Sequence, residues 1–523
     1  MDVHRGTDRT LTHDSALELR GIDVRFGDVR ALDGADFRAR PRTVHALLGE
    51  NGAGKTTLMR VAYGMVRPVR GAIVVDGARL RPGSPADAIR AGIGMVHQHV
   101  TLAPAMTVAE NVALGGAVAV RAGGMSIPGT APRREWRYDA RRVAELVRAI
   151  GERTGLRVPP EARVASLGIG AQQRLEIVKA LAREARILIL DEPTAVLSPP
   201  ETEELLRRLR EMADEGRTVI LITHKLREAL AVADDVTVLR RGRTVLQGPA
   251  ASLSADRLAD AMLGDDASPG DERAVLVTDT ASHPAPSRAP VRVGHEPSVI
   301  IAARELDILD ERGVLRIRSA ELSVHAGEIV GVAAVEGSGH RELLRGLAGR
   351  LRSIRGSLVL PPAVGFIPED RHHEALALDL SLAQNVALRG AGRRRGVIGW
   401  RSIARHTMSL MEQFDIRAPG AHTPARALSG GNQQKLVLAR ELDGEPAALV
   451  AETPTRGLDV HATAAVHDRL RQARDAGMAI VLYSSDVDET LALADRMLVV
   501  FDGGVRAVRH DRAAVGSAMI GLA

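Results

Sequence analysis

Gly49-Glu50-Asn51-Gly52-Ala53-Gly54-Lys55-Thr56 is the stretch on which the fold turns. Its spacing, G-x-x-x-x-G-K-T, sets glycines where backbone N–H groups curl around phosphate oxygens, and it opens a helix whose dipole faces the same point. An apolar run of the buried parallel-strand kind, Val44–Leu48, precedes it, and a helix-forming run, Thr57–Ala62, follows. Strand, glycine loop and helix in that order predict an α/β fold. Lys55 is placed to reach the β- and γ-phosphates of a nucleotide, and the Thr56 hydroxyl to hold Mg²⁺. Gly49, Glu50, Asn51, Gly52, Ala53, Gly54 and Thr57 make up the rest of the expected nucleotide cradle.

Further along, Ile187-Leu188-Ile189-Leu190 reads as a buried strand ending in Asp191 and Glu192. Ligands of open α/β sheets bind at the carboxyl ends of strands. Alone, such an acidic pair is more often a helix cap. Beside a phosphate loop, Asp191 suits a Mg²⁺ sphere and Glu192 suits deprotonating an attacking water. Three more residues are candidates for the same site. A lone His or Phe is usually packing, so the roles of Gln98 toward the metal or the water, of His224 at the end of the strand Val219–Thr223 toward the γ-phosphate, and of Phe26, ahead of the first strands, on adenine depend on the family resemblance that the later motifs carry.

Composition narrows the alternatives. The 523 residues exceed one hydrophobic core, and 70 Lys+Arg against 65 Asp+Glu leave a net charge of only +5, too little for nucleic-acid binding by bulk electrostatics. Only four of the basic residues are lysines (Lys55, Lys179, Lys225 and Lys435), which makes each of them worth inspecting. There is no cysteine, so disulfides, thiolate zinc sites, iron–sulfur clusters and cysteine nucleophiles are excluded. Met1–Arg20 is polar and does not read as a signal peptide, and no run approaches the length of a membrane span, Val112–Val120 being among the longest candidates. The expectation is a soluble, cytoplasmic chain.

The chain repeats itself. Leu167-Gly168-Ile169-Gly170-Ala171-Gln172-Gln173 aligns with Leu428-Ser429-Gly430-Gly431-Asn432-Gln433-Gln434 at an offset of 261, which also carries Pro193-Thr194 onto Pro454-Thr455 and Glu228 onto Glu489. Earlier, Gly54 falls on Gly339 and Gly71 on Gly356 at an offset of 285, so the first half is 24 residues longer, with the loop around Gly115–Trp136 as the expected extra material. A period this long means duplicated domains. The expected bounds are 16–262 and 298–523, joined over 263–297 by a linker of Pro/Ser/Gly composition. Amphipathic runs such as Gln172–Ala182 and Glu201–Ala213 read as the helices between strands.

Leu428-Ser429-Gly430-Gly431-Asn432-Gln433-Gln434 resembles the LSGGQ signature of the ATP-binding cassette (ABC) ATPases. The phosphate loop, Gln98, the signature, the Asp191-Glu192 strand and His224 appear in that family's order. The variant motifs His97-Gln98-His99, Thr107-Val108-Ala109-Glu110-Asn111, Glu336-Gly337-Ser338-Gly339, Ile367-Pro368-Glu369-Asp370-Arg371 and Pro454-Thr455-Arg456-Gly457-Leu458-Asp459 are similar to those of double-cassette ATPases of simple-sugar and nucleoside importers, with the nucleoside branch closest. The resemblance implies two tandem P-loop NTPase domains, each with a parallel-sheet core, a helical subdomain and an antiparallel β subdomain. It also implies ATP and Mg²⁺ as cofactors and two integral-membrane permease subunits as partners, one of whose helices would dock beside the Gln98 loop. An extracytoplasmic substrate-binding protein would act indirectly. The chain would sit peripherally on the cytoplasmic face of the cell membrane, with no nucleic-acid partner.

The halves are unequal. Lys55 and Thr56 are answered by His340 and Arg341, Gly49 by Ala334, Asp191 and Glu192 by Glu452 and Thr453, His224 by Ser485, and Gln98 by Glu369. The signature is unequal the other way, since the first half has Gly168 where the second has Ser429. Cassettes of this family pair head to tail, so the resemblance implies one complete composite site, in which Lys55, Thr56, Gln98, Asp191, Glu192 and His224 are closed by Ser429, Gly430 and Gly431. The second site would be degenerate. Random decay would not favour that partition. One departure is Ser198, where the family usually has Asp and the second half has Asp459. Two other readings stay open at this point: a soluble double-cassette translation factor, and a regulatory subunit that binds ATP without turnover.

Overall fold

A computed structural model describes residues 15–27, 29–98, 101–114, 120–121, 124–125, 139–195, 197–263, 298–335, 337–458 and 460–522. The linker expected over 263–297, apart from Leu263, and most of the Gly115–Trp136 loop lie outside the described residues, as do His99, Glu336 and Asp459. The described residues fall into two compact units, bounded along the chain by Met1–Ala195 with Glu201–Thr280 and by Val196–Pro200 with Ala281–Ala523.

The first half runs β1 (Leu17–Phe26), β2 (Val29–Ala39), β3 (Val44–Leu48), the helix Lys55–Ala62, β4 (Arg70–Val75), β5 (Ala78–Leu80), β6 (Ile93–Val96), the short β7 (Val120–Arg121) and β8 (Gly124–Met125), and the helices Ala140–Thr154 and Ile169–Ala182. Then come β9 (Ile187–Asp191), the helix Pro199–Asp214, β10 (Thr218–Ile222), the helix Leu226–Val232, β11 (Asp235–Arg240), β12 (Arg243–Pro249) and the helix Ala255–Leu263. Six of these strands form a sheet in the order β12-β11-β3-β10-β9-β6, parallel except for the β11–β12 edge pair. Every residue of β3, β9 and β10 is buried, the pattern of strands covered on both faces. A second, antiparallel sheet has the order β2-β1-β4-β5. Leu17, Leu19, Ile22 and Val24 of β1 point into the core it shares with Leu58 and Met59 of the helix Lys55–Ala62. Truncating either of these fully buried residues to Ala costs about 2–5 kcal/mol.

The second half repeats the plan with β13 (Val299–Leu309), β14 (Leu315–His325), β15 (Ile329–Ala334), the helix His340–Leu347, β16 (Ser353–Val359), β17 (Val364–Ile367) and the helices Leu382–Leu388, Trp400–Gln413 and Gly430–Leu442. These are followed by β18 (Ala448–Glu452), the helix Val460–Asp475, β19 (Ala479–Tyr483), the helix Val487–Leu493, β20 (Arg496–Phe501), β21 (Gly504–Val508) and the helix Arg512–Met519. Its six-stranded sheet has the order β17-β18-β19-β15-β20-β21, and its antiparallel sheet the order β14-β13-β16. Each unit is therefore a parallel core with an antiparallel sheet and a set of helices, as a P-loop NTPase cassette requires.

Register settles an equivalence that the two offsets left loose. Val96 pairs with Leu190, and Ile367 pairs with Ala451, the residue that aligns with Leu190. Gln98 and Glu369, each two residues further on, are thus the same position in the two units.

The quoted motif Thr107–Asn111 turns out to be a helix start. Thr107 Oγ1 accepts from Glu110 N at 3.2 Å while Glu110 Oε2 accepts from Thr107 N at 2.7 Å, a reciprocal cap, and Asn111 donates to the carbonyls of Ala103 and Thr107. Ser381, Gln384 and Asn385 repeat the arrangement.

Candidate functional site

The loop between β3 and its helix takes its shape from glycine. Gly49 has φ +151° and Gly54 φ +103°; a Cβ at Gly49 would stand 2.2 Å from the carbonyl oxygen of Leu239, and one at Gly54 2.9 Å from that of Ala31. Only glycine fits these positions. Gly54 leads into the helix, so the first N–H groups open on the loop. Lys55 is buried and curls back, its Nζ donating to the carbonyls of Gly49 (2.7 Å) and Glu50 (3.0 Å). Burial pulls its pKa down against the pull of Glu192, Asp191 and Glu50. Ala53 is buried, Thr57 half-buried, and Asn51 and Gly52 exposed.

Around the loop stand groups from three strand ends. Thr56 donates its hydroxyl proton to Asp191 Oδ1 at 3.1 Å. Glu192, one residue past β9, adopts φ +48°, a left-handed conformation that non-glycine residues seldom hold, with its N–H donating to Ile222 O. That twist turns its carboxylate between two partners: Gln98 Nε2 donates to Oε2 at 2.9 Å, and His224 Nδ1 lies 3.1 Å from Oε1. Burial raises the pKa of Glu192, but the His224 bond and the charges of His224, Lys55 and Lys225 outweigh it, so the carboxyl titrates below its usual range. Asp191 goes the other way, because burial dominates over its bond to Thr56. His224 stands two residues beyond the end of β10, not on it, since the strand is Thr218–Ile222. Phe26 does not precede the strands; it is the last residue of β1, and it is 54% exposed.

The equivalent place in the second unit is built from other chemistry. Gly337 and Gly339 keep left-handed backbone (φ +89° and +102°), but His340 replaces Lys55. It is buried, its ring stacked on Tyr483 with centroids 4.4 Å apart, and burial together with Arg341 lowers its pKa to about 4. A neutral imidazole brings no charge to a phosphate. Glu369 is held by Arg341 (2.6 Å) and by Arg456. Glu452, in the Asp191 position, is pushed up to about 7, mainly by burial, and its Oε1 has no hydrogen-bond partner among the described residues. Thr453 repeats the left-handed turn of Glu192 (φ +44°) but offers a hydroxyl where Glu192 offers a carboxylate.

The signature stretches also differ. Ser429 caps the helix Gly430–Leu442, its Oγ accepting from Asn432 Nδ2 at 2.9 Å, whereas Gly168 brings no side chain to the start of Ile169–Ala182. Arg371 lies over Gly430, where an added Cβ would meet its guanidinium at 2.9 Å, and it donates to the carbonyl of Arg456. Gly431 is the second residue of the same helix.

Comparisons with known proteins identify the family. Residues 32–195 match the ABC transporter family. The nucleoside import ATP-binding protein NupA of Lactococcus lactis subsp. cremoris is 38% identical over 95% of this chain and 96% of that protein. The guanosine import ATP-binding protein NupO of Bacillus subtilis is 38% identical over 94% and 93%. The glucose import ATP-binding protein TsgD13 of Haloferax volcanii is 40% identical over 95% and 93%. The chain is a double-cassette ATP-binding protein of the ABC transporter family. As such it binds ATP and is the ATPase subunit of an importer. A crystal structure of the archaeal ribosome recycling factor aABCE1 with the stalk protein aP1 aligns over 93% of the chain and 89% of that structure, with a TM-score of 0.59 at 18% identity, a likeness of fold alone. No described helix of this ABC protein is long and apolar enough to cross a membrane.

One part of the ABC site escaped the sequence reading. Glu228, buried on the helix Leu226–Val232, accepts from Thr194 Oγ1 (2.8 Å to each oxygen) and from Thr223 Oγ1 (3.2 Å). It ties the loop after Glu192 to the residue before His224. Glu489 does the same for Thr455 and Ser484. The signal was present, since Glu228 falls on Glu489 at the 261 offset, but a single Glu in an amphipathic helix ordinarily reads as surface.

Proposed function

We propose that this ABC protein energises uptake of a nucleoside, or of a simple sugar, through two separate integral-membrane permease subunits, working peripherally at the cytoplasmic face of the cell membrane with an extracytoplasmic substrate-binding protein delivering the solute. The observation that carries the hydrolytic part is the Glu192 carboxylate held between Gln98 and His224 beside Lys55. The nucleoside reading rests on the names of the relatives NupA and NupO, and TsgD13 keeps the sugar reading alive.

Of the two cassettes, over 16–262 and 298–523, the first carries the productive ATP. The Gly49–Thr57 loop wraps its phosphates and Phe26 stacks on its base. Lys55, already desolvated, exchanges its two carbonyl partners for phosphate oxygens. The hydroxyl of Thr56 against the carboxylate of Asp191, with the Gln98 amide near, is the hard oxygen set that suits Mg²⁺. When bound there, the ion neutralises charge developing on the transferred phosphoryl group. Glu192, ionised because its pKa is depressed, takes a proton from the attacking water, and His224 holds it in line. With Nδ1 bound to Glu192, the ring donates to a phosphate oxygen from Nε2 when both nitrogens carry protons.

The second site lacks the charge of Lys55 and the carboxylate of Glu192, and it does not turn over. The test is reconstitution of the chain with its permease in vesicles. Phosphate release stimulated by binding protein loaded with nucleoside supports the nucleoside reading. Stimulation by sugar alone moves it to the second reading, and no stimulation by either sinks the importer assignment of substrate class.

A further inference from the structure

The helical part of the second cassette carries a surface that nucleotide chemistry does not use. From Leu380 to Met411 the chain contains six arginines, Arg389, Arg393, Arg394, Arg395, Arg401 and Arg405, and no acidic residue. In the middle of this run, between Gly396 and Gly399 and just beyond, stand the apolar residues Val397, Ile398 and Trp400. They are exposed to 101%, 44% and 45%. Met408 (48% exposed) extends the patch along the face of the helix Trp400–Gln413 that also carries the exposed Arg401 and Arg405, while Thr407, Leu410 and Met411 take the buried face.

The loop is held in place from below. Arg394 donates to the carbonyls of Ala387 and Arg389, fastening the loop to the end of the helix Leu382–Leu388, and Arg389 donates to the carbonyl of Arg440. Arg395, Arg401 and Arg405 remain on the exposed side. Among the described residues, carboxylates also come near: Asp443 meets His406 at 2.9 Å and, with Glu441, faces Arg389, and Glu412 is exposed in the last turn of the same helix.

A protruding apolar tip with a tryptophan, flanked by the exposed Arg395, Arg401 and Arg405, is complementary to one kind of surface. Indole partitions to the headgroup level of a bilayer, short apolar side chains enter the acyl boundary, and arginines meet anionic headgroups. A protein partner that buried this tip would have to neutralise the arginines from its own side with matched carboxylates, whereas an anionic leaflet presents such charge everywhere. We propose that the Arg395–Arg405 segment is a membrane-contact surface that inserts Val397, Ile398 and Trp400 among anionic phospholipid headgroups. The inference goes beyond the importer reading and does not depend on which solute is carried.

The experiment uses the full chain and vesicles without permease. The chain has two tryptophans, so Trp136→Phe leaves Trp400 as the only indole reporter. The expected result is flotation with vesicles of phosphatidylcholine plus phosphatidylglycerol and not with phosphatidylcholine alone, reversal by high salt, and a blue shift of Trp400 emission on binding. Arg395→Gln/Arg401→Gln/Arg405→Gln should weaken partitioning by roughly a hundredfold, about fivefold for each arginine near a charged surface. Trp400→Ser/Ile398→Ser should abolish the tight component with ATP turnover unchanged. Arg67→Gln/Arg79→Gln/Arg81→Gln, exposed arginines on the first cassette, should float like the parent and separates this surface from general basicity. Equal flotation of the first triple variant, flotation lost equally by the control triple, or binding that appears only when permease protein is present would each overturn the proposal, the last in favour of a protein contact.

Discussion

His224 Nδ1 stands 3.1 Å from Glu192 Oε1, so two residues 32 positions apart share one site through the exits of β9 and β10. A carboxylate with a depressed pKa and an oriented imidazole act as a unit. Glu192→Gln keeps the volume and the Gln98 contact but removes the base, and it should lower steady-state phosphate release by about 10²–10³ while ATP binding persists. His224→Ala should cost a similar factor, and the double variant little more than either alone. Additive losses in the double variant, measured by single-turnover phosphate release, would show that the two act separately.

Removing chemistry from the second cassette should cost little. Lys55→Ala is expected to abolish turnover. Thr453→Ala and His340→Ala should leave it within about twofold, because neither residue supplies a charge to phosphate transfer. Equal loss of rate in Lys55→Ala and Thr453→Ala would defeat the single-site reading.

Glu228 is a positioning residue, touching Thr194 and Thr223 but none of the reacting groups. Glu228→Ala should lower kcat about tenfold or more through misplacement of His224, with KM for ATP little changed. Glu228→Gln, which keeps one acceptor, should recover part of it. A loss carried entirely by KM, or by the amount of folded protein, would contradict that role.

Glu452 gives the second cassette a pH dependence with a definite sign. Its carboxyl titrates at about 7 in the fold against the ordinary 4.5 of a glutamate, so it prefers to be protonated when folded. Its contribution is complete below the unfolded value and is lost as pH rises through the folded one, by at most about 3 kcal/mol. Glu452→Gln should therefore gain stability relative to the parent as pH rises from about 4.5 to about 7, read as the difference in denaturant midpoints along a pH series. A constant difference across that range would show that Glu452 is not the titrating group.

What could be read without coordinates was local or periodic. The Gly49–Thr56 loop is legible because its backbone conformation is set by glycines within eight residues, and the parallel strands because residues buried on both faces are apolar without alternation. The halves could be aligned wherever glycines punctuated both, but not across the change from one offset to the other, where only the pairing of β6 with β9 and of β17 with β18 places Gln98 opposite Glu369. Contacts made by long side chains between distant loops stayed invisible. Arg456 reaching Glu369 and Arg371 lying over Gly430 depend on the path of the chain after β17 and β18, which no short motif encodes. Glu228 was hidden for a different reason: the two hydroxyls it serves, Thr194 and Thr223, come from other segments that its own helix does not announce.

The grip of Arg341 and Arg456 on Glu369 also bears on how the second cassette can change over generations. Restoring a lysine at position 340 would set a third cation next to two that already share one carboxylate, in a slot now shaped for a ring stacked on Tyr483. Restoring Gln at 369 would remove the carboxylate that both arginines share. Both of these steps back toward hydrolysis break a contact the present site makes, so the loss behaves as a ratchet: drift can elaborate the silent site but does not readily reawaken it.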